Sequence, residues 1–178
     1  MSKHFTNILF NKLTAKKNKE FYLTPLLEQY KLYVEMADRI SSRRQISNSF
    51  FLSINTAIVA LMGYVKSTNP VNNFSHFYWL IAIAGIIISY TWYRLIKSYD
   101  GLNGGKFKVI HEIEKELPIR PYDAEWELLG RGKNPKLYLP FTRIEIGIPW
   151  VFLTIHLVVL ISLIPWDKIF MFITNSLW

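Results

Sequence analysis

The 178 residues contain no cysteine, which excludes a disulfide framework, thiolate catalysis and any zinc site built on sulfur. Acid is scarce, with 13 Asp and Glu against 21 Lys and Arg and a formal charge of +8. Charge is missing altogether from three long stretches, 48–65, 77–93 and 146–166, and neither proline nor glycine falls between Pro25 and Gly63. Paired carboxylates, a nucleophile with its base and clustered metal ligands are likewise absent at workable spacing. The chain therefore reads as no enzyme, with no cofactor and no metal.

Apolar residues fill the space. They make up 51% of the chain, and the mean hydropathy is +0.15 in spite of the many lysines. Each charge-free run approaches the roughly 20 residues that a helix needs to cross a hydrocarbon core about 30 Å thick. A chain this short has too little polar surface to hide three such helices in a soluble core. The expected fold is all-α: a polytopic membrane protein with three transmembrane helices, joined to cytoplasmic amphipathic and short helices.

Orientation follows from where the basic residues lie. Nine precede the first run, one (Lys66) separates the first two, ten lie in 94–145, and only Lys168 follows the third. By the positive-inside rule the N-terminus and the 94–145 region are cytoplasmic and the C-terminus is periplasmic or extracellular. Tyr64, Phe77, Tyr78, Trp79, Trp166 and Trp178 suit an outer aromatic belt. Phe50, Phe51, Tyr90, Trp92, Tyr93 and Trp150 suit an inner one. The start, MSKHFTN, has no apolar core typical of a cleaved signal, so the first run is expected to direct its own insertion. A basic N-terminal segment that abuts the bilayer argues for lipid and against nucleic acid as the partner.

These features divide the chain into a basic N-terminal segment (1–25), a stalk running into the first span (26–65), a second span (77–96), a cytoplasmic helical region (97–145), a third span (146–166) and an outer interfacial tail (167–178). Phe5, Ile8, Leu9 and Leu13 recur at helical spacing among lysines, which fits a basic amphipathic helix on headgroups as well as a disordered tail. Tyr22 to Pro25 is expected to break the chain. The stripe Leu26, Tyr30, Tyr33, Ala37 and Ile40 then predicts a stalk helix, with Glu35 and Arg39 at a stabilising separation and Arg43 and Arg44 at the headgroups. The sequence DGLNGG at 100–105 predicts a loop, Lys106 to Leu117 a helix, and Pro121 to Gly130 a short helix with proline early and glycine past its end. Thr142 and Glu145 have capping-box spacing before the third run, and Pro149 is expected to kink that span.

Residues 30–56 (YKLYVEMADRISSRRQISNSFFLSINT), together with KFKVIHEIEKELP at 106–118, Glu125-Trp126 and IEIGIP at 144–149, resemble the RipA family of octameric bacterial inner-membrane proteins. The resemblance covers about 26–164. It implies an inner-membrane location, ring-like homo-oligomers and a link to stress, intracellular survival or phage defence, and it supplies no catalytic residues. The first block is also similar, less extensively, to two-span membrane effectors of antiphage operons, from which the third span sets this chain apart.

Candidate sites follow from helical projection. Ser49, Ser53, Thr56, Ala60 and Gly63 fall within an arc of about 80°, a small and partly hydroxylated face suited to close helix packing or to lining a pore. Asn55 lies off that arc and should find an interhelical partner. Ala82, Gly85 and Ser89 give the second span a small face. His156 is the ionisable residue deep in the third span, suited to pH sensing or to packing as a neutral imidazole. Glu112, Glu114 and Glu116 read as a solvated or subunit-facing acidic surface. Tyr30, Tyr33, Arg43, Arg44, Glu112, Glu114, Glu125 and Trp126 are the expected contacts to other subunits or to a cytoplasmic protein trigger. Two functions fit: a gated membrane-permeabilising effector in phage defence or stress, or a non-conducting oligomeric scaffold that recruits a cytoplasmic partner or supports membrane homeostasis.

Overall fold

The structure is a computed structural model that describes Leu9, residues 19–68 and 75–168, Met171 and Thr174. The N-terminal segment, for which an amphipathic helix and a disordered tail both fit, and most of the outer tail lie outside the described residues. Among the described residues the main α-helices are α1 (Lys19–Thr68), α2 (Ser75–Glu114), α3 (Pro121–Leu128), α4 (Phe141–Glu145) and α5 (Gly147–Ser162), with a 3-10 turn at Gly130–Gly132 between α3 and α4. No strand occurs among the described residues. Three segments, Tyr22–Thr68, Phe77–Glu114 and Phe141–Ser162, are long and apolar enough to cross a membrane. The chain is an all-α protein with three candidate spans.

Two compact units emerge, one from 1–47 and 96–144, the other from 48–95 and 145–178. In the first unit, the early part of α1 runs antiparallel to the late part of α2: Tyr30 bonds Glu114, Lys106 Nζ sits 4.6 Å above the Tyr33 ring, and Ser47 meets Tyr99. Leu26, Ala37, Ile96, Ile110 and Ile113 form its buried apolar core. Glu35 and Arg39 pair on the exposed side of α1 at 2.6 Å.

In the second unit, Asn48, Phe51 and Asn55 of α1 face Trp92 and Ser89 of α2. Trp92 is buried, stacks on Phe51 and donates its indole N–H to Asn48 Oδ1 at 2.8 Å. It is thus part of the core and not of a headgroup belt. Only 11% of the most apolar window of the first and third spans is buried in the monomer, so most of both is left for lipid or other copies.

Three local expectations differ from what is seen. Helix α1 passes through Pro25, which costs a single backbone bond. Helix α2 passes through Gly101, Gly104 and Gly105. Each glycine lowers helix propensity by about 1 kcal/mol relative to alanine, but the buried Ile96 and Ile110 on either side hold the helix together by burial. Thr142 is no N-cap: it lies inside α4, and its hydroxyl donates to Asp100 Oδ1 at 2.8 Å. In the third span α4 and α5 meet at Ile146, about one turn before Pro149, where the missing N–H of the proline removes a backbone bond.

Candidate functional site: a buried polar cluster and a capped carboxylate

At the centre of the second unit, Asn55, Ser89 and His156, one from each span-forming helix, are all 0% exposed. Asn55 Nδ2 donates to the Phe51 carbonyl one turn back at 2.9 Å, which fixes the amide orientation. Its Oδ1 then accepts from Ser89 Oγ at 2.9 Å and faces His156 Nε2 at 3.3 Å. An amide oxygen only accepts, so Nε2 carries the imidazole proton and Nδ1 is left as a bare lone pair. Nδ1 is buried with no hydrogen-bond partner among the described residues.

The ring lies flat against Gly85, where an added Cβ would sit 2.4 Å from Cε1 and 2.5 Å from both ring nitrogens. The small face of α2 thus has a specific occupant: Gly85 makes room for the imidazole, and Ser89, one turn on, bonds the amide that receives it. Polar side chains in lipid are costly unless paired. Paired, as here, they fix the rotation of all three helices at once.

The Ser49, Ser53, Thr56, Ala60 and Gly63 face points elsewhere, and every one of these residues is exposed in the monomer. Thr56 bonds back to the Leu52 carbonyl at 2.8 Å, as do Thr91 and Thr154 to their own preceding turns, the usual way to satisfy a hydroxyl in lipid. Ser49 and Ser53 have no such bond among the described residues.

Of the acidic run expected as a solvated or subunit-facing surface, Glu116 is exposed, but Glu112 and Glu114 lie inside the first unit. Glu112 is 3% exposed and pairs with Lys115, and Glu114 is 0% exposed. Glu114 Oε1 accepts the Tyr30 hydroxyl at 2.8 Å and the Tyr122 N–H at 2.9 Å, and Oε2 accepts the Asp123 N–H at 3.0 Å. It thereby satisfies two orphan donors at the start of α3, where a negative charge is also favoured by the helix dipole. The sequence signal for that helix start is Pro121. The carboxylate that reaches it, seven residues upstream, is not a local cap and cannot be read from spacing.

Burial, with the Glu114 hydrogen bond and charge beside it, pushes the Tyr30 phenol above its ordinary value of 10.0. A raised folded-state value means that the stabilisation is fully present below pH 10 and is lost as pH rises towards the folded-state value. Thermal unfolding between pH 9 and 12 is expected to show this alkaline loss in the wild type and a smaller one in Tyr30→Phe.

The remaining expected contacts spread over the first unit. Tyr33 is capped by Lys106, Arg43 is exposed, Arg44 reaches the Thr142 hydroxyl at 3.5 Å, Glu125 is exposed, and Trp126 packs on Tyr138 and over Gly132. Gly132 has φ +67 and a Cβ there would stand 3.1 Å from the Trp126 ring, so glycine suits both backbone and neighbour. No group of acidic or histidine side chains that could hold a metal occurs among the described residues.

Three apolar helices, two carrying polar extensions and all joined by a buried polar cluster, define a polytopic α-helical membrane protein. Residues 27–165 match the model of the Octameric membrane protein family (8xMP). The chain belongs to that family and is an oligomeric membrane protein. No curated protein and no solved structure matches it.

Proposed function

We propose that the chain is a gated membrane-permeabilising effector of the bacterial inner membrane, acting in phage defence or stress, with its N-terminus and 94–145 region in the cytoplasm and its C-terminus outside. The observation that carries this reading is the exposed face of Ser49, Ser53, Thr56, Ala60 and Gly63, set about 120° around the helix from Asn55 at 100° per residue. The side chain that a monomer must bury is buried. The hydroxylated face is left over for other copies or for water. In a ring of subunits, turning this face towards the axis when the cytoplasmic part meets its trigger opens a polar path.

Dye release from liposomes tests the reading. Wild-type protein is expected to release dye when activated by its cytoplasmic trigger, and Ser53→Leu, which replaces a hydroxyl by a branched apolar group on that face, is expected to lower the release about tenfold or more, as for a pore whose lining dewets. Equal release from both proteins counts against it.

A second reading, a non-conducting scaffold, is favoured by apolar side chains around α3. Ile119, Leu128 and Leu137 are 72%, 82% and 61% exposed and offer a docking area for a cytoplasmic partner. Stable partner capture that is lost in Leu128→Asp, with no dye release under any condition, favours the scaffold.

A further inference from the structure

A cavity of about 500 Å³ opens in the first unit, within the range that binds small molecules. Its walls are aromatic: Phe107 of α2, Tyr122 and Trp126 of α3, and Tyr138. At one end Arg44, Thr142 and Asp100 form a chain in which Arg44 donates to the threonine hydroxyl and that hydroxyl donates to the carboxylate. These charges are occupied in holding α1, α2 and α4 together.

Two other charges on the cavity wall are not so occupied. Lys108 and Glu125 both line it, both are exposed, and neither side chain makes an ion pair or hydrogen bond among the described residues. An ammonium and a carboxylate that share one aromatic-walled cavity without pairing to each other present two complementary charges to a ligand. An ammonium group on that ligand is further favoured by the faces of Trp126 and Tyr138. In sequence, Arg44, Asp100 and Thr142 stand only a few residues from the charge-free runs, so a headgroup is the zwitterion at hand for this chain.

We propose that this cavity binds a phosphoethanolamine group, with the phosphate on Lys108 and the ammonium between Glu125 and the ring of Trp126. Two sources carry that group: the headgroup of phosphatidylethanolamine, and a free ester such as glycerophosphoethanolamine. Phosphatidylglycerol has the phosphate without the ammonium and is the discriminating control.

Native mass spectrometry of the full chain, released from nanodiscs of equal phosphatidylethanolamine and phosphatidylglycerol, counts the lipid retained. The wild type is expected to keep phosphatidylethanolamine in preference. Lys108→Glu is expected to lower its retention about fivefold, the factor that an exposed ion pair worth about 1 kcal/mol supplies. Glu125→Lys is expected to reverse the preference towards phosphatidylglycerol. Both positions are exposed, and circular dichroism checks that the variants fold.

A parallel titration with glycerophosphoethanolamine assigns the source. Lipid retention that the soluble ester does not displace places the membrane lipid in the cavity, and binding of the soluble ester without lipid retention places the free ester there. Either outcome supports the site. Equal retention of the two lipids by wild type and both variants, with no binding of the soluble ester, overturns it.

Discussion

Gly85→Ala is expected to be among the most damaging single-methyl changes in the spans. The added Cβ would lie 2.4 Å from the His156 ring, far inside contact distance. The ring has no easy retreat, since His156 is fully buried and its Nε2 faces Asn55. Overpacking a close-fitted core costs about 1–3 kcal/mol. Displacing the imidazole adds the loss of its bond to the amide, which between spans is worth about 0.6 kcal/mol and up to about 1.7. The expected result is a fall in melting temperature of the detergent-solubilised protein and weaker oligomer recovery. The double variant Gly85→Ala/His156→Ala is expected to recover part of the loss, because the alanine methyl then fills space that the ring vacates. A double variant no better than Gly85→Ala would mean that the two positions do not meet.

Glu114→Ala is expected to have the second large effect, and on the other unit. The change leaves the Tyr30 hydroxyl and the Tyr122 and Asp123 N–H groups without their acceptor. Hydrogen bonds to a charged group contribute about 1.5–3 kcal/mol, and each abandoned buried donor adds its own desolvation cost. A loss of about 3 kcal/mol or more is expected, expressed as release of α3 from α2. Protease cleavage between 115 and 135 reads it directly. Glu114→Gln keeps an acceptor oxygen and is expected to fall between wild type and alanine. Loss of the Tyr122 and Asp123 contacts would also open the wall of the aromatic cavity that Tyr122 and Trp126 provide.

The three spans are legible in the sequence because missing charge is a property of each run by itself. Asn55 and His156 stand out for the same reason, since each is a polar exception in an apolar run. That they meet cannot be read, because it depends on the relative register and rotation of three helices, which composition does not carry. Gly85 shows the same limit: a small residue signals that something comes close, but only the folded chain says that it is an imidazole.

The loop expected at 100–105 and the cap expected at Thr142 fail for a shared cause. Local propensity assigns the glycines to a turn and the threonine to a helix start. Tertiary partners decide otherwise, Ile96 and Ile110 for the helix and Asp100 for the hydroxyl. Glu114 is the converse case, in which alternating acids suggest a solvated or subunit-facing surface while one of them serves a helix start in a different part of the chain.

A pore requires the exposed Ser49 to Gly63 face to meet other copies around a shared axis, and the lack of native cysteine makes that meeting directly measurable. Single cysteines at Ser53 and, as a control on an exposed position of α2, at Ile87, which is 59% exposed, can be oxidised in native membranes and then probed with a membrane-impermeant maleimide. Ser53→Cys is predicted to cross-link into dimers and to react with the maleimide when the protein is activated, while Ile87→Cys does neither. Cross-linking at Ile87, with Ser53→Cys monomeric and shielded from the aqueous reagent in every state, would contradict it.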